Sequence, residues 1–142
     1  MAPAKVFLDS SYAIALTAPK DAHHAAALQI SQVLEVPGSR VVTTRAVMVE
    51  IGNALARAHY RHAAADLISH FESDPNVEVV PLSEELFQRA FKLFQERSDK
   101  QWGLTDCVSF IVMWERGIAD ALTADHHFRQ AGFRPLLDPS QP

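Results

Sequence analysis

Lys5-Val6-Phe7-Leu8-Asp9-Ser10-Ser11 is the stretch of sequence that decides the fold of this chain. Its first four residues form a short, mainly apolar run, which is typical of a buried β-strand. Asp9, Ser10 and Ser11 follow at once, and such residues often begin helices because their side chains accept hydrogen bonds from free backbone amides. A buried strand that leads directly into a helix is typical of a parallel α/β fold.

The alternation of strand and helix continues along the whole chain. After Lys5–Leu8, apolar runs predict strands at Arg40–Thr43, Val77–Val80, Ala119–Thr123 and Phe133–Leu136. Helical spacing and capping residues predict helices at Tyr12–Leu16, Asp21–Val36 (ended by Pro37-Gly38), Arg45–His59, Arg61–Ser73, Ser83–Arg97, Thr105–Arg116 and Asp125–Ala131. We therefore expect a three-layer α/β fold, in which helices flank a mainly parallel sheet of four or five strands.

The length and composition indicate one ordinary globular domain. At 142 residues the chain is long enough for one hydrophobic core and too short for two. With 48% hydrophobic and 21% charged residues, its composition is typical of globular proteins. We predict a single domain over residues 1–137 and a loose C-terminal tail over residues 138–142.

The sequence also favours a cytoplasmic location. Its one cysteine, Cys107, excludes an internal disulfide framework and fits a reducing compartment. No segment reaches the roughly 18 consecutive apolar residues that a membrane span needs, and the N-terminus has no secretory signal pattern. We therefore expect a cytoplasmic protein without a membrane partner.

Four acidic residues come from four separate parts of the predicted fold. Asp9 directly follows the first strand, and Asp125 follows the fourth. Glu50 and Asp106 lie in the first two turns of the third and sixth helices. Ligands of open parallel sheets bind beyond the carboxyl ends of the strands, so we expect the four side chains to meet there. The four acids therefore share one expected destination at the end of the sheet.

Each of these acids also has a purely structural explanation. Asp9 and Asp106 lie where an acidic residue stabilises the N-terminus of a helix. Glu50 has no basic residue three or four positions away and is compatible with an ordinary solvated surface position. Asp125 is followed by Arg129 four residues later, which allows a helix cap combined with an ion pair.

The net charge does not decide whether the partner is a nucleic acid. A value of −4 argues against one, because proteins that bind nucleic acid usually carry a basic surface. If four carboxylates converge on a cation, however, 13 of the 17 acidic residues remain, which equals the 13 lysines and arginines. The surface outside the site is then about neutral, and local arginines can still form a basic rim.

The histidines and tryptophans support weaker hypotheses. No spacing of the 7 histidines with the cysteine matches a zinc site. His126 and His127 are close enough in sequence to Asp125 for one of them to contact a substrate beside it. Trp102 and Trp114 are candidates for stacking on bases, but packing in a core or an interface is the more common role.

Taken together, these residues resemble the PIN-domain family of nucleases, and most closely its branch of VapC-type toxins. The resemblance extends from Val6 to Leu136 and rests on the stretches Phe7-Leu8-Asp9-Ser10-Ser11, Glu50-Ile51-Gly52-Asn53-Ala54, Leu104-Thr105-Asp106-Cys107-Val108-Ser109-Phe110 and Leu122-Thr123-Ala124-Asp125-His126-His127-Phe128, with Gly132-Phe133. One aspartate after a strand is a weak signal. The ordered set of four acids with its Thr-Ala-Asp ending is a strong one.

The resemblance implies a PIN-like fold and a Mg²⁺- or Mn²⁺-dependent ribonuclease that cleaves the phosphodiester bonds of RNA. It implies that Asp9 and Asp106 are the principal metal ligands, and that Glu50 and Asp125 complete the acidic pocket. It also offers residues that support the ligands or contact phosphate, namely Ser10, Thr43, Asn53 and Ser109, with Asp99 as a weaker candidate.

The resemblance also implies partners. VapC-type toxins pair with a small antitoxin protein and form homodimers, so we expect both here. The predicted helices Asp21–Val36 and Arg61–Ser73 carry apolar stripes that suit either contact, although the same stripes also suit the core. A PIN protein of RNA processing, or a non-catalytic module that binds RNA or a partner, is the alternative.

Two other α/β classes with Mg²⁺ and a strand-end aspartate fit the sequence less well. A haloacid-dehalogenase-type domain needs a second acid two residues after the first, but Ser11 occupies that position. A signalling receiver needs an acid pair before its phosphoacceptor strand and a lysine after a late strand, and neither is apparent.

Overall fold

The computed structural model describes residues 5–34 and 40–138. The strands in these residues are β1 (Lys5–Leu8), β2 (Arg40–Thr44), β3 (Val77–Val80), β4 (Asp120–Leu122) and β5 (Arg134–Pro135). The helices are α1 (Ser10–Thr17), α2 (His24–Leu34), α3 (Arg45–Ala54), α4 (Ala58–Ser73), α5 (Glu84–Glu96), α6 (Leu104–Arg116) and α7 (His126–Gln130). The predicted strands agree with these bounds to within one residue at each end.

The five strands form one parallel sheet in the order β3-β2-β1-β4-β5. Phe7 on β1 lies opposite Val42 on β2 and opposite Ala121 on β4, so β1 occupies the centre. From this centre the chain first builds one side of the sheet and then the other, which makes β1 and β4 the topological switch point. The predicted parallel α/β architecture is confirmed, and its switch point is where such sheets bind ligands.

The central strand is apolar because both of its faces are covered. Val6, Phe7 and Leu8 are at most 1% exposed, as expected for a strand in the middle of a parallel sheet. Fully buried residues of the helices, such as Ile51 on α3 and Phe110 on α6, belong to the same core. The run that decided the fold in the sequence is therefore the centre of the structure.

An aromatic cluster holds α6 and α7 together behind the strand ends. The ring of Phe110 packs against Trp102, Phe128 and Phe133, with ring centroids 4.9, 5.0 and 5.7 Å away. Trp102 is buried, and its indole Nε1 donates a hydrogen bond to Oε1 of Gln130 over 2.9 Å. The expectation that this tryptophan packs in the core is confirmed. The cluster also joins α6, which carries Asp106, to α7, which follows Asp125.

The break between α3 and α4 differs from the prediction. We predicted one helix over Arg45–His59, but α3 ends at Ala54 and α4 begins at Ala58. Arg57 adopts an extended backbone between them, with φ −63° and ψ 147°. The side chain of Arg61 donates to the carbonyl of Ala56 over 2.9 Å and so satisfies a backbone acceptor that the break leaves free.

The start of α2 also differs from the prediction. Asp21 does not begin this helix, because its side chain accepts a hydrogen bond from the amide of His23 in the preceding turn, and α2 starts at His24. The predicted end at Val36 and Pro37-Gly38 lies outside the described residues, as do residues 139–142 of the predicted tail. Among the described residues, no helix is long and apolar enough to span a membrane.

Candidate active site

Asp9 is the first residue after β1, and the sheet buries its side chain almost completely. It is 3% exposed, and its amide donates to the carbonyl of Leu122 at the end of β4. Oδ2 of Asp9 accepts a hydrogen bond of 2.7 Å from the hydroxyl of Thr123 and lies 3.2 Å from the hydroxyl of Ser11. The carboxylate is thus held between the ends of the two strands at the switch point.

The pKa of Asp9 is raised from an ordinary value of 3.8 to about 7. Burial is the largest cause, because it removes water from the charged form. The hydrogen bond from Thr123 opposes this effect, while the negative charges of Asp106 and Glu50 add to it. Asp9 therefore lies within electrostatic reach of two of the other predicted site residues.

Glu50 reaches the same region from α3. Its side chain is partly buried, and its Oε1 accepts a hydrogen bond of 2.5 Å from the hydroxyl of Ser10. Because Ser10 directly follows Asp9, this bond places Glu50 beside the start of α1. The alternative of an ordinary solvated glutamate does not fit a side chain that is engaged in this way.

Asp106 lies in the first turn of α6 and stabilises its N-terminus as expected, but the helix begins at Leu104, one residue before the predicted start. The residue that caps α6 is Gly103 and not Thr105, and the amide of Gly103 donates to Oδ2 of Asp106 over 3.1 Å. Burial raises the pKa of Asp106 most, and the charge of Asp125 raises it further. Both the capping role and the closeness to another acid are therefore present.

Asp125 caps α7, since its Oδ1 accepts a hydrogen bond of 2.9 Å from the amide of His127. The predicted alternative of an ion pair with Arg129 is wrong, because Arg129 binds Asp138 over 2.9 Å instead. The side chain of Asp125 therefore caps α7, and its charge also raises the pKa of Asp106. Glu50 and Asp106 each raise the pKa of Asp9, and Asp125 raises the pKa of Asp106. The four acids therefore form one connected set of interacting charges.

His127, which the sequence offered only as a possible substrate contact, lies against two of the acids. Its Nδ1 lies 3.3 Å from Oδ2 of Asp106 and 3.3 Å from Oδ1 of Asp125, with the side chain 18% exposed. In the described part of the chain, Asp125, His126 and His127 also bring possible metal-binding atoms within 4.8 Å of one another. The signal in the sequence is that His127 follows a helix-capping aspartate by two residues.

Two of the predicted supporting residues have structural roles. Thr43 is fully buried, and its hydroxyl donates to the carbonyl of Leu8 over 2.8 Å. Ser109 is also fully buried, and its hydroxyl donates to the carbonyl of Thr105 over 3.1 Å. Neither side chain is accessible to a phosphate of a substrate.

Two further predicted candidates lie on the surface. Asp99 is exposed and binds the guanidinium of Arg97 through two hydrogen bonds of 3.0 and 3.1 Å. Lys100 lies 3.9 Å from the same carboxylate. Asn53 is exposed on α3. Asp99 is therefore neutralised by neighbouring cations, in contrast to the acids of the site.

The donor set fits a hard divalent cation. Carboxylate oxygens are the ligands that Mg²⁺ and Mn²⁺ prefer. The buried Asp9 and the partly buried Asp106 are each raised in pKa partly by a neighbouring acid, so the cluster concentrates negative charge. A cation among these groups would offset that repulsion, because a bound cation is often the largest local charge in its site.

Comparisons with known proteins agree with this architecture. The family model described as PIN domain matches residues 6–134. The 23S rRNA-specific endonuclease VapC20 of Mycobacterium tuberculosis, from strains CDC 1551 / Oshkosh and ATCC 25618 / H37Rv, is 27% identical over 128 residues, which is 90% of this chain and 95% of the relative. The crystal structure of M. tuberculosis VapC20, a toxin that cleaves the sarcin–ricin loop, superposes with a TM-score of 0.79 at 27% identity over the same shares of the two chains.

Proposed function

This chain belongs to the PIN-domain family, and from that premise we propose that it is a metal-dependent ribonuclease, the toxin of a toxin–antitoxin pair. The resemblance inferred from the sequence is confirmed at the level of the family. The observation that carries the proposal is the buried Asp9, which lies at the switch point of the sheet beside Asp106 and Glu50. The relative that covers nearly the same length is named as an RNA endonuclease, which supports RNA as the substrate.

In this proposal Asp9 and Asp106 are the principal ligands of Mg²⁺ or Mn²⁺, and Glu50 and Asp125 complete the acidic pocket. The raised pKa values of Asp9 and Asp106 support it, because both groups gain from a nearby positive charge. A divalent cation bound here supplies Lewis acidity, which stabilises the negative charge that develops on a phosphodiester during hydrolysis.

Neighbouring hydrogen-bond donors orient three of the four acids. Ser10 holds one oxygen of Glu50, the amide of Gly103 holds one oxygen of Asp106, and Thr123 holds one oxygen of Asp9. Ligands that are fixed in this way lose little freedom when a substrate binds.

The proposed reaction is attack by water and needs no nucleophile from a side chain. The hydroxyl of Ser10 is already bonded to Glu50. Cys107 is fully buried, and burial raises the pKa of its thiol to about 11, so it is not ionised at neutral pH. Hydrolysis by water is therefore the chemistry that the described residues around the acids support.

Chelation of divalent cations is expected to abolish RNA cleavage. The test incubates the protein with defined RNAs, including a sarcin–ricin loop hairpin and an unrelated hairpin, in Mg²⁺, in Mn²⁺ and in excess EDTA. We expect cleavage with either ion, no product with EDTA, and full recovery when Mg²⁺ is added back. Binding of RNA without cleavage in any ion would instead favour the non-catalytic module.

We also propose a small antitoxin protein as the partner of this chain in the cytoplasm. Its support is a cavity of about 440 Å³ between α1, α2 and α4, which involves the two helices that the sequence singled out. Its lining is mainly apolar and includes Tyr12, Leu16, Leu34, Leu67 and Phe71. An apolar groove of this kind suits the apolar face of an amphipathic peptide helix.

We propose a homodimer through the outer face of α5, and not through the two helices that the sequence singled out, because those helices line the cavity proposed for the antitoxin. Phe91 and Phe94 are 40% and 44% exposed there, and the rings of Phe87, Phe91 and Phe94 stack along the helix with centroids 6.1 and 6.5 Å apart. Exposed apolar residues that adjoin in this way are typical of contact surfaces. A symmetric dimer would cover the same face of both copies.

Replacement of the exposed rings by charges is expected to give a monomer. The double variant Phe91→Glu/Phe94→Glu places four charges in the proposed contact, two from each copy, and like charges there destabilise association. Light scattering after size exclusion measures the mass, which we expect to fall from two chains to one. Val49→Glu, at a site that is 57% exposed on α3, is the control and should leave the mass unchanged. A dimer that persists in the double variant would exclude this face.

A further inference from the structure

A chain of hydrogen bonds connects the turn between β4 and α7 to the carboxylate of Asp9. The amide of Ala124 donates to the hydroxyl of Ser11 over 3.1 Å. The hydroxyls of Ser11 and Thr123 are 2.9 Å apart, and the hydroxyl of Thr123 donates to Oδ2 of Asp9 over 2.7 Å. In the sequence, Thr123 and Ser11 belong to stretches that carry the family resemblance, but neither was assigned a role at the site.

The direction of these bonds follows from the number of protons. A backbone amide can only donate, and an ionised carboxylate can only accept. The amide of Asp125 donates to the hydroxyl oxygen of Thr123 over 3.0 Å, so this oxygen acts as an acceptor and its single proton is available for Asp9. Ser11 likewise accepts from a backbone amide, and its one proton can be donated to the hydroxyl oxygen of Thr123 or directly to Oδ2 of Asp9. Every donor in the chain therefore points toward Asp9.

Burial shields the hydrogen bond between Thr123 and Asp9 from water. Thr123 is fully buried and Asp9 is 3% exposed, so bulk water has little access to replace the hydroxyl. A hydrogen bond to a charged acceptor is stronger than a neutral one, and more so away from water. The same hydroxyl joins the residue after β1 to the backbone of Asp125 after β4, the two strands at the switch point.

We propose that Thr123 is a positioning residue of the active site, whose hydroxyl orients the carboxylate of Asp9 toward the cation and sets its place relative to Asp125. This inference rests on the proposed function, because it assumes that Asp9 is a metal ligand. Thr123 itself touches neither substrate nor cation in this role. It acts through Asp9, as do the outer hydrogen-bond partners that orient ligands in metal sites.

Binding of Mn²⁺ alone, without RNA, tests the proposal. The free Mn²⁺ signal in electron paramagnetic resonance gives the dissociation constant of wild type, Thr123→Val and Thr123→Ser. Valine keeps the shape of threonine and lacks its hydroxyl, so we expect a loss of affinity of about 10- to 100-fold. Serine restores the hydroxyl, and we expect it to recover most of the lost affinity.

Thr43→Val is the matched control. Thr43 is as buried as Thr123, but its hydroxyl donates to the backbone carbonyl of Leu8 and to no acid. This variant loses one buried hydrogen bond from a strand end, and any general effect of that loss appears in it as well. We expect its Mn²⁺ affinity to equal that of wild type.

The outcomes separate this proposal from the proposed function. Wild-type affinity in a folded Thr123→Val protein overturns the positioning role, while binding and cleavage by wild type leave the proposed function intact. A wild-type protein that neither binds Mn²⁺ nor cleaves RNA overturns both. If circular dichroism finds Thr123→Val unfolded, Ser11→Ala decides, with a smaller loss of affinity in support and an unchanged affinity against.

Discussion

Asp9→Asn is expected to lower metal-dependent RNA cleavage by at least about 100-fold and to make the metal-free protein more stable. Residues that only orient metal ligands are typically worth 10- to 100-fold in metal affinity or activity, and the loss of a ligand should cost at least as much. Asparagine keeps the shape of the side chain and one acceptor oxygen for the hydroxyl of Thr123. We therefore expect loss of activity without loss of the fold.

The gain in stability follows from the sign of the pKa shift. The pKa of Asp9 is raised in the folded state to about 7 from 3.8, so ionisation of this group disfavours folding as the pH rises between these values. At about 1.4 kcal/mol per pKa unit, ionisation of Asp9 lowers the free energy of unfolding by at most about 4 kcal/mol at pH 8. We expect Asp9→Asn to regain about 1–3 kcal/mol of this lost stability when EDTA keeps the protein free of metal.

Urea unfolding in EDTA at pH 5 and pH 8 measures this gain, which should be larger at pH 8. Added Mg²⁺ should stabilise wild type and leave the variant unchanged, because binding to the folded state alone raises its stability. Asp99→Asn is the matched control, since Asp99 is an exposed acid bound to Arg97. The control should retain activity. Cleavage by Asp9→Asn at the wild-type rate would remove Asp9 from the proposed ligand set.

Phe110→Ala is expected to destabilise the protein by about 3–5 kcal/mol, the usual cost of removing a large aromatic ring from a core. Phe110 is fully buried and packs against Trp102, Phe128 and Phe133, so its loss leaves a cavity between α6 and α7. Since domains of this size are stable by only about 5–15 kcal/mol, much of the margin would be lost.

Thermal and urea unfolding measure this effect. The variant should also bind Mn²⁺ more weakly while still folded, because Phe110 lies one turn after Asp106 on α6 and supports the start of α7 behind Asp125. Leu82→Ala, at a position that is 41% exposed, is the control and should change the free energy of unfolding by less than about 1 kcal/mol. A change in Phe110→Ala no larger than that of the control would contradict the packing described for this cluster.

Much of the fold could be predicted from the sequence because its strands are buried. A central parallel strand needs an uninterrupted apolar run, and Val6-Phe7-Leu8 is such a run. Helix boundaries were less predictable, since they depend on contacts between distant residues or on local turns. The break before α4, where Arg61 satisfies a carbonyl, and the cap of α6 by Gly103 rather than Thr105 are examples.

The four acids could be proposed from the sequence because three of them follow strands or begin helices, where parallel sheets direct side chains to one edge. The hydrogen-bond partners of these acids could not be predicted from the sequence. Thr43 and Thr123 both lie at strand ends and are equally buried, yet one bonds a backbone carbonyl and the other bonds Asp9. Only the relative placement of β1, β2 and β4 distinguishes them.

The amino-acid sequence by itself indicated the family, the parallel sheet and four acids expected at the end of that sheet, because apolar runs and the residues after them are local properties of the chain. The tertiary structure alone decided which groups surround each acid. It brought Thr123 to Asp9 across 114 positions of sequence and His127 to Asp106 across 21. Burial and the nearness of like charges, which set the pKa of Asp9, arise only when these separate segments pack together.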